Sequence, residues 1–188
     1  IRGFVETLLD GAIDEPADAR RFLEIIERQT SRLDAIIEDL LTLSQVDRIQ
    51  REDGSIEEGS GADALETEEM LLSGVLRSAC QLCMPAADEK GIEIQMNCPE
   101  DLTAIINQTL FEQAAVNLID NATNHSEQGK AVSISASSTD QGIDVVVQDE
   151  GCGISEMHLS RIFERFYRVD QARSRELGGT GLGLAITK

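Results

Sequence analysis

From Phe22 onward, apolar or mildly polar positions recur at Phe22, Ile26, Gln29, Leu33, Ile36, Leu40 and Leu43, in alternating steps of four and three. That spacing is a coiled-coil seam. Ile25, Ile37 and Leu41 widen the stripe beyond two positions per heptad, as a four-helix bundle requires and a two-stranded zipper does not. The pattern therefore predicts a long helix within a hairpin that closes a bundle with a second hairpin. An ordinary amphipathic helix on a globular core is the alternative that periodicity leaves open. Upstream, Ile1 to Gly11 is also helix-like, and Asp14-Glu15-Pro16 punctuates it. Residues 1–47 read as the tail of one helix, a turn and a second helix.

The pattern then lapses. Residues 48–69 are rich in Asp, Glu, Gly and Ser with few apolar positions, which predicts an acidic linker unable to bury enough surface to order itself. Periodicity resumes in 70–188. Met70 to Lys90 reads as a helix, Ile92 to Met96 as a strand, Leu110 to Thr123 as an apolar-faced helix. Val132 to Ala136 and Ile143 to Val147 read as two strands joined by the turn-like Thr139-Asp-Gln-Gly142. The fold class expected is α+β: a helical hairpin followed by a domain mixing helices with a largely antiparallel sheet.

Composition narrows the function. Among 188 residues, 35 are acidic and 16 basic, a formal charge of −19 that repels nucleic-acid phosphates and anionic lipid surfaces. No nucleic-acid partner is expected. No apolar run approaches the ~20 residues that cross a bilayer, so this stretch itself is read as soluble and without membrane contact. Cys80, Cys83, Cys98 and Cys152 lack the spacing of a disulfide framework, which fits a reducing cytosol. Cys80 and Cys83 form a C-x-x-C inside a helical stretch, with no second pair and no nearby histidine; buried free thiols are the favoured reading over a metal or redox pair.

Four segments of the second domain carry chemistry. Asn117 and Asn121, in NLIDNA, lie four apart and so share a helix face amid apolar neighbours. An amide oxygen is a hard, neutral ligand suited to Mg²⁺, although core or capping asparagines satisfied by backbone fit equally well. Asp149-Glu-Gly-Cys-Gly-Ile154 follows a strand. Glycines at 151 and 153 let backbone approach a flat ligand, and the Asp149 carboxylate can accept from an exocyclic amine such as adenine's; a tight turn is the alternative. Gly178-Gly-Thr-Gly-Leu-Gly183 precedes a helix start, and successive exposed amides there form an anion nest for a polyphosphate. Between the two loops, Arg161-Ile-Phe-Glu-Arg-Phe-Tyr-Arg-Val-Asp170 and Arg173 supply aromatics and fixed cations, with Arg168 and Arg173 able to reach phosphates or a partner helix bundle.

Each segment is ambiguous alone, but their order is specific. The chain resembles the sensor histidine kinases of two-component systems. NLIDNA looks like the N box, DEGCGI the first glycine box, IFERFYRVD the F box and GGTGLGLAI the second glycine box. IRGFVETLLD and the seam ending in IIEDLLTLSQVD are similar to the two helices of the family's dimerisation and phosphotransfer hairpin. The RSRELGGTGLGLAI stretch looks most like the phosphate-responsive, membrane-anchored subgroup.

The resemblance implies an α/β two-layer sandwich of Bergerat type at 70–188, a partial hairpin at 1–47, and transfer of the ATP γ-phosphate to a histidine and thence to a response-regulator aspartate. It implies Asn121 as the Mg²⁺ ligand with Asn117 beside it, and Asp149 on the adenine amine. Gly151 and Gly153 would floor the base pocket. Arg168 and Arg173 would face the γ-phosphate, and Gly179, Thr180, Gly181, Leu182 and Gly183 would wrap the phosphates. It also implies a homodimer, a receiver-domain partner, and a cytoplasmic placement below a membrane anchor in the full-length protein.

Three departures accompany the resemblance. The family's phospho-accepting histidine precedes the point where IRGF begins, and neither His125 nor His158 matches it, so this stretch is not expected to phosphorylate itself. The family commonly has Lys and Tyr where Asn124 and His125 stand, which removes a phosphate-contacting cation and leaves His125 to line the nucleotide site. The chain stops at Lys188, where the family continues, so the sandwich is expected to be short of its last elements. A non-catalytic module that binds ATP and dimerises, and another ATPase or serine kinase of this fold, are the alternatives.

Overall fold

A computed structural model describes residues 1–52, 66–169 and 180–187, with backbone alone over 47–52. Helix α1 (Arg2–Leu9) and α2 (Pro16–Glu52) form an antiparallel hairpin through a 3-10 turn at Ala12–Asp14. Gly11 at the turn has φ 121°, which a β-carbon would strain. Pro16 opens α2 where a missing N–H costs nothing. Phe4 and Phe22 close the hairpin with ring centroids 6.0 Å apart, and Leu8 of α1 is buried. The long helix runs through Glu52, past the boundary expected at 47, because Arg, Gln and Glu are good helix formers even without an apolar face.

The rest of the expected linker lies outside the described residues as far as 65. Its last positions belong to strand β1 (Glu68–Leu71), so helix α3 (Leu72–Lys90) begins two residues later than the apolar pattern from Met70 suggested. Gly91, at φ 65°, ends α3 with a left-handed cap that donates to Asp88 O over 3.0 Å. Strands β2 (Glu93–Asn97) and β3 (Thr103–Ile106) follow, then helix α4 (Gln108–His125). Asn107 caps α4 by accepting from Leu110 N–H at 3.0 Å. Strands β4 (Ala131–Thr139) and β5 (Gly142–Gln148) form a hairpin, and two short helices complete the described chain, α5 (Glu156–Leu159) and α6 (Gly183–Ile186).

The strands make two sheets. β1 pairs antiparallel with β3, Glu68 opposite Ile106, a small ribbon missed in the sequence because each strand has only four residues. The larger sheet has the order β2-β4-β5: β4 and β5 are antiparallel, but β2 and β4 are parallel, Ile94 opposite Val132. The sheet is therefore mixed. The parallel pair needs a crossover, and α4 lies within it.

One helical layer covers one face of this sheet. Leu76, Ala79, Cys83 and Ala87 of α3, Ala115, Ile119 and Ala122 of α4, and Val132, Ile134 and Ala136 of β4 form the core. The alternation along β4 sends those three residues to the helices while Ser133 and Ser135 face away. Burying Ile119, Val132 and Ile134 contributes about 1.5–3 kcal/mol each. A helical hairpin followed by a two-layer α/β domain is thus the architecture.

Candidate functional site

Helix α4 is the platform of the candidate site. Its buried stripe of Ala115, Ile119 and Ala122 faces the sheet, which leaves Asn117 and Asn121 half-buried on another side of the helix. Both glycine loops meet this helix. Gly183, the first residue of α6, sits against Asn117: a β-carbon there would stand 3.4 Å from Asn117 Cγ, and Asn117 Nδ2 donates to Gly183 O at 3.4 Å, a long hydrogen bond. The Asp149–Gly153 turn meets the C-terminal end of α4, where Ser126 and Gly151 form an isolated antiparallel bridge. Residues 117 and 125 are about 12 Å apart along the axis, and Asn121 lies midway.

At the first turn, Gly151 N–H donates to Asp149 Oδ1 over 2.8 Å, a side-chain-closed turn that fixes an otherwise exposed carboxylate just past β5. Gly153 is in the left-handed region at φ 69°, and a β-carbon there would meet nothing within 4 Å, so conformation rather than space calls for glycine. His125 is exposed, and its contribution to this turn is its backbone carbonyl.

The aromatic segment reaches the second loop through its backbone. Phe166 N–H donates to Gly181 O at 2.8 Å, with Phe166 itself at φ 62°, a conformation that costs a non-glycine residue on the order of 1 kcal/mol or more. A β-carbon on Gly181 would come within 3.1 Å of the Phe166 backbone and 3.3 Å of Arg168 Cγ, which puts the Arg168 stem on the glycine loop. Arg173 and Gly179 lie outside the described residues. His158 is 2.6 Å from the Tyr167 hydroxyl through Nδ1, and Arg161 lies over the Tyr167 ring at 4.3 Å. This brace orients the aromatic segment.

Thr180 Oγ1 donates to Asp39 Oδ2 at 2.7 Å and accepts from Leu182 N–H at 3.1 Å. Leu182 is fully buried against Leu43 and Ile186. The second loop is thus held between α4 and the hairpin.

A cation reaches the Asn124 side chain from another helix. Lys90, at the end of α3, donates to Asn124 Oδ1, and burial pushes its ammonium below the ordinary lysine range while the Asp120 and Glu89 carboxylates pull it back. Lys90 escaped the sequence reading because it stands 34 positions from Asn124. Among the described residues no cluster of three or more His, Cys, Asp or Glu could hold a metal ion. A Mg²⁺ held here would use the neutral Asn121 amide with phosphate and water oxygens, a donor set that ion accepts.

Residues 106–188 match the HATPase_c family, described as histidine kinase-, DNA gyrase B-, and HSP90-like ATPase. Residues 1–49 match HisKA, the His Kinase A (phospho-acceptor) domain. The sensor-like histidine kinase SenX3 of Mycobacterium tuberculosis is 35% identical over 97% of this chain and 42% of its own length. The sensor histidine kinase WalK of Bacillus subtilis is 34% identical over the whole chain and 29% of its own length. The chain therefore spans less than half of these relatives. Among solved structures, full-length ShkA in complex with AMPPNP aligns with a TM-score of 0.66 at 28% identity, covering 89% of this chain and 32% of that one. The Acinetobacter baumannii histidine kinase AdeS aligns at 0.68 over 99% of this chain and 78% of its own, and at 24% identity bears on the fold alone.

Proposed function

We infer that this chain belongs to the sensor histidine kinases, and that it serves in the whole protein as an ATP-dependent protein histidine kinase of a two-component system. The observation that carries the reading is the convergence of two glycine loops on one asparagine helix: Gly183 on Asn117 and Gly151 on the end of α4 at His125. The ATPase family match over 106–188 and the phospho-acceptor match over 1–49 support it.

In this reading Asp149 accepts the adenine amine, and Gly151 and Gly153 keep the floor of the base pocket free of side chains. Asn117 and Asn121 face the phosphates, Asn121 as the Mg²⁺ ligand, and His125 borders the pocket. Gly179, Thr180, Gly181, Leu182 and Gly183 wrap the phosphate chain with backbone amides, and Arg168 and Arg173 neutralise charge at the γ-phosphate. The bond from phosphorus to the ADP oxygen breaks as a bond to an imidazole nitrogen forms. Catalysis is then positioning and charge neutralisation, and the phosphate passes on to a response-regulator aspartate.

The hairpin supplies the assembly. Leu23, Leu33, Ile37, Leu40 and Leu41 of α2 are 45–61% exposed, a stripe that a second copy would cover to form a four-helix bundle. The domain division proposed is 1–47 for the hairpin, 48–69 for the linker and 70–188 for the ATP-binding unit. No described helix is long and apolar enough to cross a membrane, so the anchoring proposed for the full-length protein lies in other segments. Kinship with a phosphate-responsive subgroup is proposed on the RSRELGGTGLGLAI stretch and the modest identity to SenX3.

The test is a chain extended upstream to include the phospho-accepting histidine. Incubated with γ-labelled ATP and Mg²⁺, it should take up label that acid releases and base does not. Label that survives acid would instead mark a serine kinase, and nucleotide binding without any label would mark a non-catalytic module.

A further inference from the structure

Nucleotide chemistry leaves the Thr180–Asp39 bond unused. Asp39 is only 8% exposed, the sole carboxylate among the buried described residues, and burial pushes its carboxyl above the ordinary range, against the Thr180 hydrogen bond. Such a group is held where it is by a partner, and the partner is the threonine of the second glycine loop, 141 positions away. One helical turn further along α2, on the same face, Leu43 is 4% exposed and packs with Leu182 and Ile186 in a small cluster apart from the main core. Polar and apolar contacts thus dock the same loop on the same helix face.

The docking competes with phosphate binding on three counts. The Thr180 hydroxyl hydrogen is given to Asp39, so it is not offered to an anion. The Leu182 amide, one of the donors that would wrap a polyphosphate, is given to Thr180 Oγ1. A carboxylate at Asp39 beside the loop also repels a phosphate chain at close range.

We propose that Asp39 is a latch: by accepting the Thr180 hydroxyl it holds the second glycine loop on hairpin helix α2, in competition with the polyphosphate the loop would bind. The inference rests on the nucleotide reading and adds its regulation. A latched loop lowers apparent affinity by the fraction of molecules in which it is free. Linkage then makes the effect reciprocal: loss of the Asp39 contact raises nucleotide affinity, and bound nucleotide loosens α2 from the loop.

The experiment is Mg-ATP binding by titration calorimetry on the 188-residue chain and three hairpin variants, with amide hydrogen exchange at Leu182 measured without nucleotide. Asp39→Ala removes the acceptor and Leu43→Ala the apolar half. Each should tighten Mg-ATP binding by about tenfold or more, the scale of one hydrogen bond to a charged group for Asp39→Ala and of a truncated buried leucine for Leu43→Ala, and should speed exchange at Leu182. Asp39→Asn keeps an acceptor oxygen for Thr180 and should stay near wild type in exchange. A wild-type chain that takes no nucleotide overturns the underlying reading and the competition with it. A chain that binds Mg-ATP, with affinity and Leu182 exchange indifferent to both alanine variants, overturns the latch alone.

Discussion

Gly151 and the His125 carbonyl are so close that a β-carbon at 151 would stand 2.3 Å from that oxygen, inside any allowed contact. The obstacle is backbone at the end of α4, so no side chain can turn aside to make room. Gly151→Ala should therefore cost about 1–3 kcal/mol and lower the melting temperature by roughly 5–10 °C. Gly183→Ala, whose new carbon would meet Asn117 Cγ at 3.4 Å and which begins a helix, should leave the melting temperature within about 2 °C of wild type. Thermal scans of the two variants side by side check the contrast.

Asp149→Asn separates the turn from the pocket. An asparagine Oδ1 can still accept from Gly151 N–H, so the fold should survive with little loss of stability. Nucleotide binding should fall by at least about tenfold, because a charged acceptor becomes neutral and brings an amine that faces the adenine amine as a second donor. Calorimetric affinity unchanged from wild type would remove Asp149 from the base pocket.

The cysteines should divide by burial. Burial, with Asp120 adding negative charge nearby, pushes the Cys83 thiol up to about 12, and Cys80 is raised by the same loss of solvent. At pH 8 both remain thiols inside the core, whereas Cys152 is exposed. Alkylation of the native chain should modify Cys152 well before Cys80 or Cys83, as peptide mapping after timed quenches would read. The sign of the pH effect follows: the folded chain favours the Cys83 thiol, so stability is intact below pH 9 and declines as pH rises from 9 toward 12 while the unfolded thiol ionises.

The exposed stripe on α2 should carry self-association. Leu40→Lys places an ammonium in a seam position that is 45% exposed in the single chain, so the protomer should keep its helicity. A dimer that buries this seam would have to desolvate two lysines. Sedimentation velocity should show the dimer shifted to monomer by Leu40→Lys; an unchanged distribution would move the interface elsewhere.

Much of the architecture was legible because it is written locally. The helix α2 pattern repeats at heptad spacing, the β4–β5 hairpin has a glycine-containing turn between alternating strands, and the glycine loops announce themselves by composition. The β1–β3 ribbon was not legible, since four residues such as EEML carry too little periodicity to outvote the helix that follows. Nor was the parallel pairing of β2 with β4, which depends on where α4 crosses rather than on either strand.

The candidate site divides in the same way. The sequence alone determined where the candidate residues stand along their elements: the four-residue spacing of Asn117 and Asn121, the carboxylate past a strand, and glycines wherever the backbone needs freedom or room. Those properties belong to a residue and its near neighbours. Only the tertiary structure decided that Gly151 abuts the end of α4, that Lys90 reaches Asn124, and that Thr180 is held by Asp39. Such contacts join segments 26 to 141 positions apart, and which ones form is set by the packing of whole helices and sheets, for which no local spacing rule exists.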